Sequence, residues 1–357
     1  MPSGSGGRSS SLLFVTGTPA NVRGGSGTYV GISVLRQALQ DAGHRVELVA
    51  PGGDSAGIVS RLLFNLRARR AARRSRYDAI VGFDLDGLFV PAPGARRVAS
   101  IKGVIADELL FERGTTRLSL FLASRLEKIN VARADRILAT SSYAAGRIAA
   151  AYGAAREKIR VVPEPIDLAR WEKALAAAVR IASDEAVILC VAHLYPRKQV
   201  ASLLRAMTLV KTRSRLRVVG TGPELPTLEH LVVELGLGDR AALLGHVPFE
   251  RLATEYRSAD VFCLPSLQEG FGIVFLEAMA AGLPVVACRA AAVPEVVPDG
   301  ECGILVPTGD VPALASALER LLGDQAERRR LGTAGRRRVA RYDAPIVAGE
   351  FLEAIGL

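Results

Sequence analysis

The sequence predicts an α/β protein made of two Rossmann-like domains, each a doubly wound parallel sheet, that face a central cleft. Its 357 residues suit two domains of about 150 to 180 residues each. Short apolar runs alternate with helix-like segments along the chain, which is typical of βαβ units and parallel sheets. The series is interrupted at Pro163-Glu-Pro165, where proline can continue neither a helix nor a ladder, and then restarts.

Six apolar runs predict the sheet of an N-terminal domain, residues 1–166. A loop ending in Gly24-Gly-Ser-Gly27 follows the first run and leads into an apolar-periodic helix that extends to about Ala42. Gly43 suits the end of that helix, and the next strand begins after it. The six predicted strands are 12–15, 44–50, 79–83, 97–101, 136–140 and 159–162.

Six further runs predict the sheet of a C-terminal domain, residues 167–341. Each is short, apolar and followed by a turn or a helix-like segment, as in the first half of the chain. These strands are 186–192, 216–219, 241–244, 261–264, 284–287 and 303–306.

Composition excludes several classes of protein. Hydrophobic residues make up 49% of the chain and charged residues 23%, so it is neither disordered nor low in complexity. No apolar run reaches the roughly 18 residues of a membrane span, and the N-terminus lacks the apolar stretch of a signal peptide, so we expect a cytoplasmic protein. The four cysteines lack metal-ligand spacing, which favours reduced core thiols.

The net charge of +10 is unevenly distributed. Residues 1–165 hold 24 Lys and Arg against 13 Asp and Glu, a net charge of +11, whereas the remainder holds 22 against 23, a net charge of −1. A basic first domain is expected to meet an anionic partner.

The most informative segment runs from Leu264 to Gly282. It reads as a strand end, a turn at Gly270 and Gly272 and then a helix, and it places Glu269 before the helix with Glu277 eight positions later. The carboxyl ends of parallel strands bind ligands, so two carboxylates there could accept bonds from sugar and ribose hydroxyls. Alternatively, Glu277 is a solvated helix residue and Glu269 only complements the helix dipole.

Two more strand ends are expected at the same edge. Arg197 and Lys198 follow the strand 186–192, and paired cations there fit a diphosphate, although an Arg-Lys pair is also a common surface feature. The segment Val219-Gly-Thr-Gly-Pro223 would let a ligand approach the backbone closely at its glycines, a weak signal by itself.

Together these junctions resemble the donor domain of glycosyltransferase family 4, a retaining family with the GT-B fold, also called the glycosyl transferases group 1. The resemblance covers nearly the whole chain. Its most specific part is the spacing from Glu269-Gly-Phe-Gly272 to Glu277, and Gly282-Leu-Pro-Val-Val286 and Pro294-Glu295 also match. Weaker matches are Gly24-Gly25 and Val161-Val-Pro-Glu-Pro165.

The resemblance implies a role for each site residue. The N-terminal domain would bind the acceptor and the C-terminal domain the nucleotide sugar, while 342–357 would form a helix that crosses back to the N-terminal domain. Glu269 would face the transferred sugar, Glu277 would bind the ribose, and Arg197 and Lys198 would neutralise the diphosphate. The remaining donor-binding positions are Gly25, Gly222, Gly270, Phe271, Gly272 and Ile273.

The resemblance also implies metal-independent catalysis without a cofactor, with the two cations replacing a divalent ion. Asp84-Leu-Asp86 spells DxD, but it follows a first-domain strand, and we do not predict a metal site there. Where the family often has a histidine, this chain has Ile101-Lys102-Gly103, so Lys102 is a candidate contact to donor phosphate or to an acidic acceptor. Ala192 and Gln199 stand where the family commonly has glycine.

The predicted activity is therefore retaining transfer of a hexosyl group from a nucleotide sugar to a hydroxyl acceptor, with UDP-sugars favoured and GDP-sugars next. The absence of an obvious second catalytic carboxylate favours attack on the face from which the leaving group departs over a covalent intermediate. A sugar-nucleotide 2-epimerase of the same fold is the alternative, and it would release an epimerised donor without an acceptor.

An arginine-rich segment, 58–76, carries Ile58, Val59, Leu62, Leu63 and Leu66, which predict one apolar stripe of a basic amphipathic helix. Such a helix could contact an anionic membrane peripherally, or it could be an ordinary helix with a solvated cationic face. A nucleic-acid-binding protein is the non-enzymatic alternative, but the chain lacks a recognised nucleic-acid-binding motif, and no nucleic-acid partner is predicted.

Overall fold

A computed structural model of the chain describes residues 9–18, 27–51, 58–71, 75–112 and 114–357. Its strands are β1 Ser11–Val15, β2 Arg45–Val49, β3 Ala79–Phe83, β4 Arg96–Ile101, β5 Arg136–Ala139, β6 Ile159–Val161, β7 Ala186–Val191, β8 Ser214–Val219, β9 Ala241–Leu243, β10 Val261–Leu264, β11 Val285–Cys288 and β12 Gly303–Val306. Its helices are α1 Gly27–Asp41, α2 Ile58–Ala71, α3 Ile105–Glu108, α4 Gly114–Arg133, α5 Ser142–Tyr152, α6 Leu168–Ala177, α7 Val200–Leu209, α8 Leu225–Glu234, α9 Phe249–Ser258, α10 Ile273–Ala280, α11 Val293–Val296, α12 Val311–Gly323, α13 Gln325–Val339 and α14 Ala344–Ile355. Short 3-10 turns lie at Leu109–Phe111, Arg156–Lys158, Pro196–Lys198 and Ala340–Tyr342.

The strands form two six-stranded parallel sheets, and the predicted fold class is confirmed. The first sheet has the order β2-β1-β3-β4-β5-β6 and the second the order β12-β11-β10-β7-β8-β9. All twelve predicted strands are present, with ends that differ by at most two residues. Most strands are short, largely buried apolar runs, which is why periodicity located them, whereas β2, β6 and β9 are more exposed.

The chain divides into two compact units. Unit 1 holds residues 1–165 together with 344–357, and unit 2 holds residues 166–343. The predicted boundaries follow residues 166 and 341, and the observed ones follow residues 165 and 343, which is one residue earlier and two residues later.

Both faces of the unit 1 sheet are covered. Leu12 and Phe14 of β1 pack on one face with α1 and α14, where the rings of Phe14 and Phe351 lie 5.9 Å apart. Leu13 and Val15 point to the other face, which α2 covers with Phe64 and Ala68. Because α14 supplies Phe351 to this core, the end of the chain is part of unit 1.

The apolar stripe predicted on α2 faces outward where the structure describes it. The helix turns Phe64, Asn65 and Ala68 inward, whereas Leu63 and Leu66 are each 51% exposed. Arg61 and Asn65 are drawn inward by Asp86, a fully buried carboxylate to which both donate hydrogen bonds. The hydrogen bonds that the buried Asp86 requires, and not the leucine periodicity, determine which face of this helix is buried. The side chains of Ile58 and Val59 and residues 72–74 lie outside the described residues.

In unit 2 the strand order reverses between β7 and β10. The chain runs outward from β7 through β8 to β9 in one direction, and from β10 through β11 to β12 in the other. The carboxyl ends of β7 and β10 therefore flank a topological switch point, where open α/β sheets bind ligands. The loops that leave these two strands hold the predicted donor residues.

Candidate functional site at the switch point of unit 2

The loop after β7 presents two cations. Pro196–Lys198 forms a 3-10 turn, and the guanidinium of Arg197 lies 4.8 Å from the centroid of the Tyr195 ring. Gln199 has a φ of 55°, in the left-handed region, which explains why glycine suits this position. Its side chain stabilises the turn, because Nε2 donates to the carbonyl of Pro196 and Oε1 accepts from Ser202.

Glu269, in the loop after β10, is joined to that turn by an ion pair. Lys198 Nζ lies 2.6 Å from Glu269 Oε1, and Ser266 Oγ donates to the same oxygen at 2.8 Å. Glu269 is only 6% exposed, so the pair is charge-assisted and poorly screened. The structure thus brings together two predicted residues that are 71 positions apart in sequence. Within the described part of the chain, Oε2 of Glu269 accepts no side-chain hydrogen bond and remains available to a ligand.

The turn between Glu269 and α10 needs glycine at one position. Gly272 has a φ of 91°, and a Cβ there would lie 2.6 Å from the ring of Phe275. Phe271 is 5% exposed and its ring packs 5.5 Å from that of Tyr342, so only its backbone can serve a ligand. Gly270 and Ile273 are half-buried beside it, at the start of the helix.

Glu277 lies on α10 and is held from a second helix. Tyr256 on α9, fully buried, donates a 2.8 Å hydrogen bond to Oε2 of Glu277. Burial of the carboxyl group raises the pKa of Glu277 to about 7, and the bond from Tyr256 offsets part of that rise. Because Glu277 is only 8% exposed, its carboxylate is not a solvated surface group. Among the described residues, Oε1 has no hydrogen-bond donor.

The glycines after β8 allow two loops to touch. A Cβ at Gly222 would lie 2.5 Å from the carbonyl oxygen of Leu194, in the loop after β7. The loops are also joined by hydrogen bonds from Leu194 N to Thr221 O and from Ala192 N to Val219 O. The absence of a side chain at Gly222 therefore positions the loop that carries Arg197 and Lys198.

Tyr256, Ser266 and Tyr195 are site residues that sequence reasoning missed. Tyr256 precedes Glu277 by 21 positions and lies on another helix, so no local pattern connects them. Ser266 lies within the informative segment, and its spacing of three from Glu269 is the signal that could have identified it.

Lys102 lies in unit 1 and has a buried partner. Its Nζ is 3.0 Å from Glu164 Oε1 and 5.7 Å from the centroid of the Phe83 ring. The side chains of Lys102 and Glu164 are 6% and 5% exposed, and the amide of Lys102 donates to Asp84 Oδ1. Gly25, the other predicted contact from this part of the chain, lies outside the described residues.

The carboxylates of the DxD segment have protein partners. Asp86 accepts bonds from Gly17 N at 2.5 Å, Arg61 at 2.8 Å and Asn65 at 2.9 Å. Burial raises the pKa of Asp84 to about 6, with Arg61 opposing the rise. Over the described ranges, we find no cluster of three or more His, Cys, Asp or Glu side chains with the spacing of a metal site.

Two family models match the chain. Glycosyltransferase Family 4 matches residues 23–170, and Glycosyl transferases group 1 matches residues 172–338.

Two similar proteins are named as mannosyltransferases of Mycolicibacterium. The MMP alpha-(1->4)-mannosyltransferase of Mycolicibacterium hassiacum is 33% identical over 304 residues, which cover 80% of this chain and 72% of the relative. The GDP-mannose-dependent alpha-(1-6)-phosphatidylinositol monomannoside mannosyltransferase of Mycolicibacterium smegmatis is 35% identical over 222 residues, or 57% of each chain. For the first relatives the matched part thus spans about half of their length.

Solved structures share the architecture. The sucrose-phosphate synthase of Thermosynechococcus elongatus superposes with a TM-score of 0.81 at 23% identity, covering 96% of this chain and 98% of that one. Together with the family models and the relative from M. hassiacum, this likeness places the protein: the chain has the GT-B fold and belongs to glycosyltransferase family 4 of the group 1 glycosyl transferases.

Proposed function

We propose that the protein is a glycosyltransferase that moves a hexosyl group from a nucleoside diphosphate sugar to a hydroxyl acceptor. The observation that carries the proposal is the Lys198–Glu269 ion pair at the switch point of unit 2. The pair places a cation and a carboxylate side by side where open α/β sheets bind nucleotides. A nucleotide sugar offers the matching groups, a diphosphate and a ring of hydroxyls.

Unit 2 is the proposed donor domain. Arg197 and Lys198 face the diphosphate, and the ribose hydroxyls donate to Oε1 of Glu277, the carboxylate oxygen that Tyr256 leaves available. The backbone of Gly270 to Ile273, at the start of α10, supports the donor. Two fixed cations supply the charge that a divalent ion would otherwise provide, so the proposed reaction needs neither a metal nor a cofactor.

Glu269 is the proposed partner of the transferred sugar. Its Oε1 is paired with Lys198 and accepts from Ser266, which makes the carboxylate a weak nucleophile, and its Oε2 can accept from a sugar hydroxyl. This arrangement supports retaining transfer by front-face attack. The bond from C1 to the phosphate oxygen breaks, the bond from C1 to the acceptor oxygen forms, and the acceptor proton passes to the departing phosphate.

GDP-mannose is the first donor to assay. A relative named as GDP-mannose-dependent is 35% identical over 57% of this chain, and this favours GDP-sugars ahead of the UDP-sugars preferred from sequence. Unit 1 is the proposed acceptor domain. Lys102, held by Glu164, is its candidate contact to an acidic acceptor or a donor phosphate, and unchanged turnover of Lys102→Ala would refute that role. The cytoplasm is the proposed compartment.

Turnover measurements test the proposal. The native chain is incubated with GDP-mannose or UDP-glucose, in chelator, and release of the nucleoside diphosphate is followed together with the mass of sugar products. Glu269→Ala is expected to lower turnover about a hundredfold or more while changing the Kd of the nucleoside diphosphate less than about threefold. Glu229→Ala, an exposed carboxylate on α8, is the matched control and should match the native chain.

The results distinguish a role of Glu269 at the transferred sugar from a role in nucleotide binding, and a transferase from an epimerase. Equal losses of turnover and nucleotide affinity in Glu269→Ala would contradict the assignment to the transferred sugar. An epimerised nucleotide sugar, formed without an acceptor, would instead identify a 2-epimerase. The anomeric configuration of the product, determined by NMR, tests retention directly.

A further inference from the structure

An exposed apolar stripe runs along α4 in unit 1. Leu118, Phe121, Leu122 and Ile129 are 62%, 42%, 47% and 42% exposed. At about 100° of rotation per residue, the four side chains lie within a sector of about 100° on the outward side of the helix. Single exposed apolar residues are ordinary, but four along one helical face form an apolar patch of the kind that marks an interaction site.

The opposite face of α4 explains why the stripe faces outward. Ala123, Ser124, Glu127, Asn130 and Val131 are buried against unit 1. Asn130 donates to the carbonyl oxygens of Asp84 and Asp86, and Oε2 of Glu127 accepts from Ile105 N at 3.0 Å. These bonds fix the rotation of the helix, so the apolar stripe cannot turn inward.

Cations border the stripe. Arg117, Lys128 and Arg133 are exposed on its two flanks, and the guanidinium of Arg125 lies 4.9 Å from the centroid of the Phe121 ring. The only carboxylate on α4 is Glu127, which is fully buried, so the exposed charges of this helix are all positive.

Neighbouring elements also expose apolar side chains. Leu110, in the 3-10 turn before α4, is 60% exposed. The helix α2, which contacts α4, exposes Leu63 and Leu66 beside Arg67 and Arg70 and contains no acidic residue.

We infer that the outward face of α4, with Leu110 and the leucines of α2, docks on the surface of an anionic lipid bilayer. Exposed leucine, isoleucine and phenylalanine side chains would enter the boundary between headgroups and acyl chains, while the flanking Arg and Lys side chains pair with lipid phosphates. The exposed charges of α4 and α2 are all positive among the described side chains and complement an anionic bilayer, whereas a second copy of this chain would bring like charges together. Within the described residues, no helix has the length and apolar content of a membrane span, so the contact we infer is an interfacial one.

The membrane contact predicted from the sequence lies on the same part of unit 1. The sequence predicted contact through a stripe on 58–76, and Leu63 and Leu66 of that stripe are exposed while Phe64, Asn65 and Ala68 face inward. The inferred surface adds α4, which exposes the larger apolar stripe, and α2 contributes through Leu63 and Leu66.

Vesicle sedimentation of the full chain tests the inference. Vesicles are made of phosphatidylcholine alone or of equal parts of phosphatidylcholine and phosphatidylglycerol. Binding is expected only with phosphatidylglycerol, and it should weaken as salt is raised. The double variant Phe121→Ser and Leu122→Ser should lower the vesicle partition coefficient about tenfold or more, because two apolar side chains no longer enter the interface.

The controls keep the test independent of folding and of the proposed activity. Leu209→Ser and Val233→Ser alter side chains of unit 2 that are 51% and 77% exposed, and the variant carrying both should bind vesicles like the native chain. Thermal unfolding should be unchanged in both double variants, since all four positions are exposed. Native-level vesicle binding by the α4 variant, equal binding to both vesicle types, or a native dimer that the α4 variant dissolves in light scattering would each overturn the inference.

Discussion

The elevated pKa of Glu277 predicts that nucleotide binding depends on pH near neutrality. Ribose hydroxyls donate to the carboxylate, so the ionised form of Glu277 is the binding form in the proposed site. With a pKa of about 7, roughly one tenth of the free protein carries an ionised Glu277 at pH 6 and roughly nine tenths at pH 8. If only the ionised form binds, affinity should rise about tenfold between these two pH values.

Isothermal titration calorimetry with GDP and UDP at pH 6, 7 and 8 measures this rise. The diphosphate itself titrates in this range, so the native chain is compared with Glu277→Gln, in which the side chain cannot ionise. The difference between the two pH profiles is then due to the ionisation of Glu277. Parallel profiles would refute the assignment of Glu277 to the ribose or the perturbation of its pKa.

The same pKa fixes the sign of a stability effect. The folded-state pKa of Glu277 lies above the ordinary glutamate value of 4.5, so the native state holds its proton more tightly than the unfolded chain does. The free energy of unfolding should therefore fall as pH rises from about 4.5 to about 7, and Glu277→Gln should remove this part of the dependence. Chemical denaturation across that pH range measures it.

Three further predictions follow from the contacts around the site and in unit 1. Tyr256→Phe removes the bond that lowers the pKa of Glu277, so the midpoint of the pH profile for GDP binding should move to higher pH; an unmoved midpoint would show that Tyr256 does not act through Glu277. Gly222→Ala places a Cβ 2.5 Å from Leu194 O and should weaken nucleotide binding about tenfold or more, whereas Gly238→Ala, with nothing within 4 Å of its Cβ, should leave the Kd unchanged. Asp86→Ala leaves Arg61 without its closest partner and should lower the free energy of unfolding in urea by about 3 kcal/mol, against less than about 0.5 kcal/mol for the exposed Asp41→Ala; equal effects would mean that the buried network does not stabilise unit 1.

The sheets and the first site residues could be predicted because their signals are local. A buried parallel strand is a short apolar run whatever it packs against, so all twelve strands could be located. The donor segment is local too, since one stretch of chain holds the strand end, Glu269, the glycine turn and Glu277. The strand ends that carry Lys198 and Glu269 lie on adjacent strands, which brings these two side chains together.

Partners from distant segments could not be predicted. Tyr256 reaches Glu277 from another helix, and Asp86 draws Arg61 and Asn65 inward across 25 and 21 positions. The second contact determines which face of α2 is buried. Leucine periodicity could not show whether the leucines of this helix face inward or outward, and leaving a buried carboxylate without partners costs more than exposing two leucines.

Calorimetric titration of nucleoside diphosphates tests the central claim, that unit 2 is a metal-free donor site, most directly. UDP, GDP, ADP and dTDP are titrated into the native chain and into Glu277→Ala at pH 8, with chelator present and again with Mg²⁺. We predict selective binding of one nucleotide in chelator, weakened about tenfold or more by Glu277→Ala and unchanged by Mg²⁺. No binding of any of the four with or without Mg²⁺, or binding that requires Mg²⁺ or that Glu277→Ala leaves intact, would contradict the account.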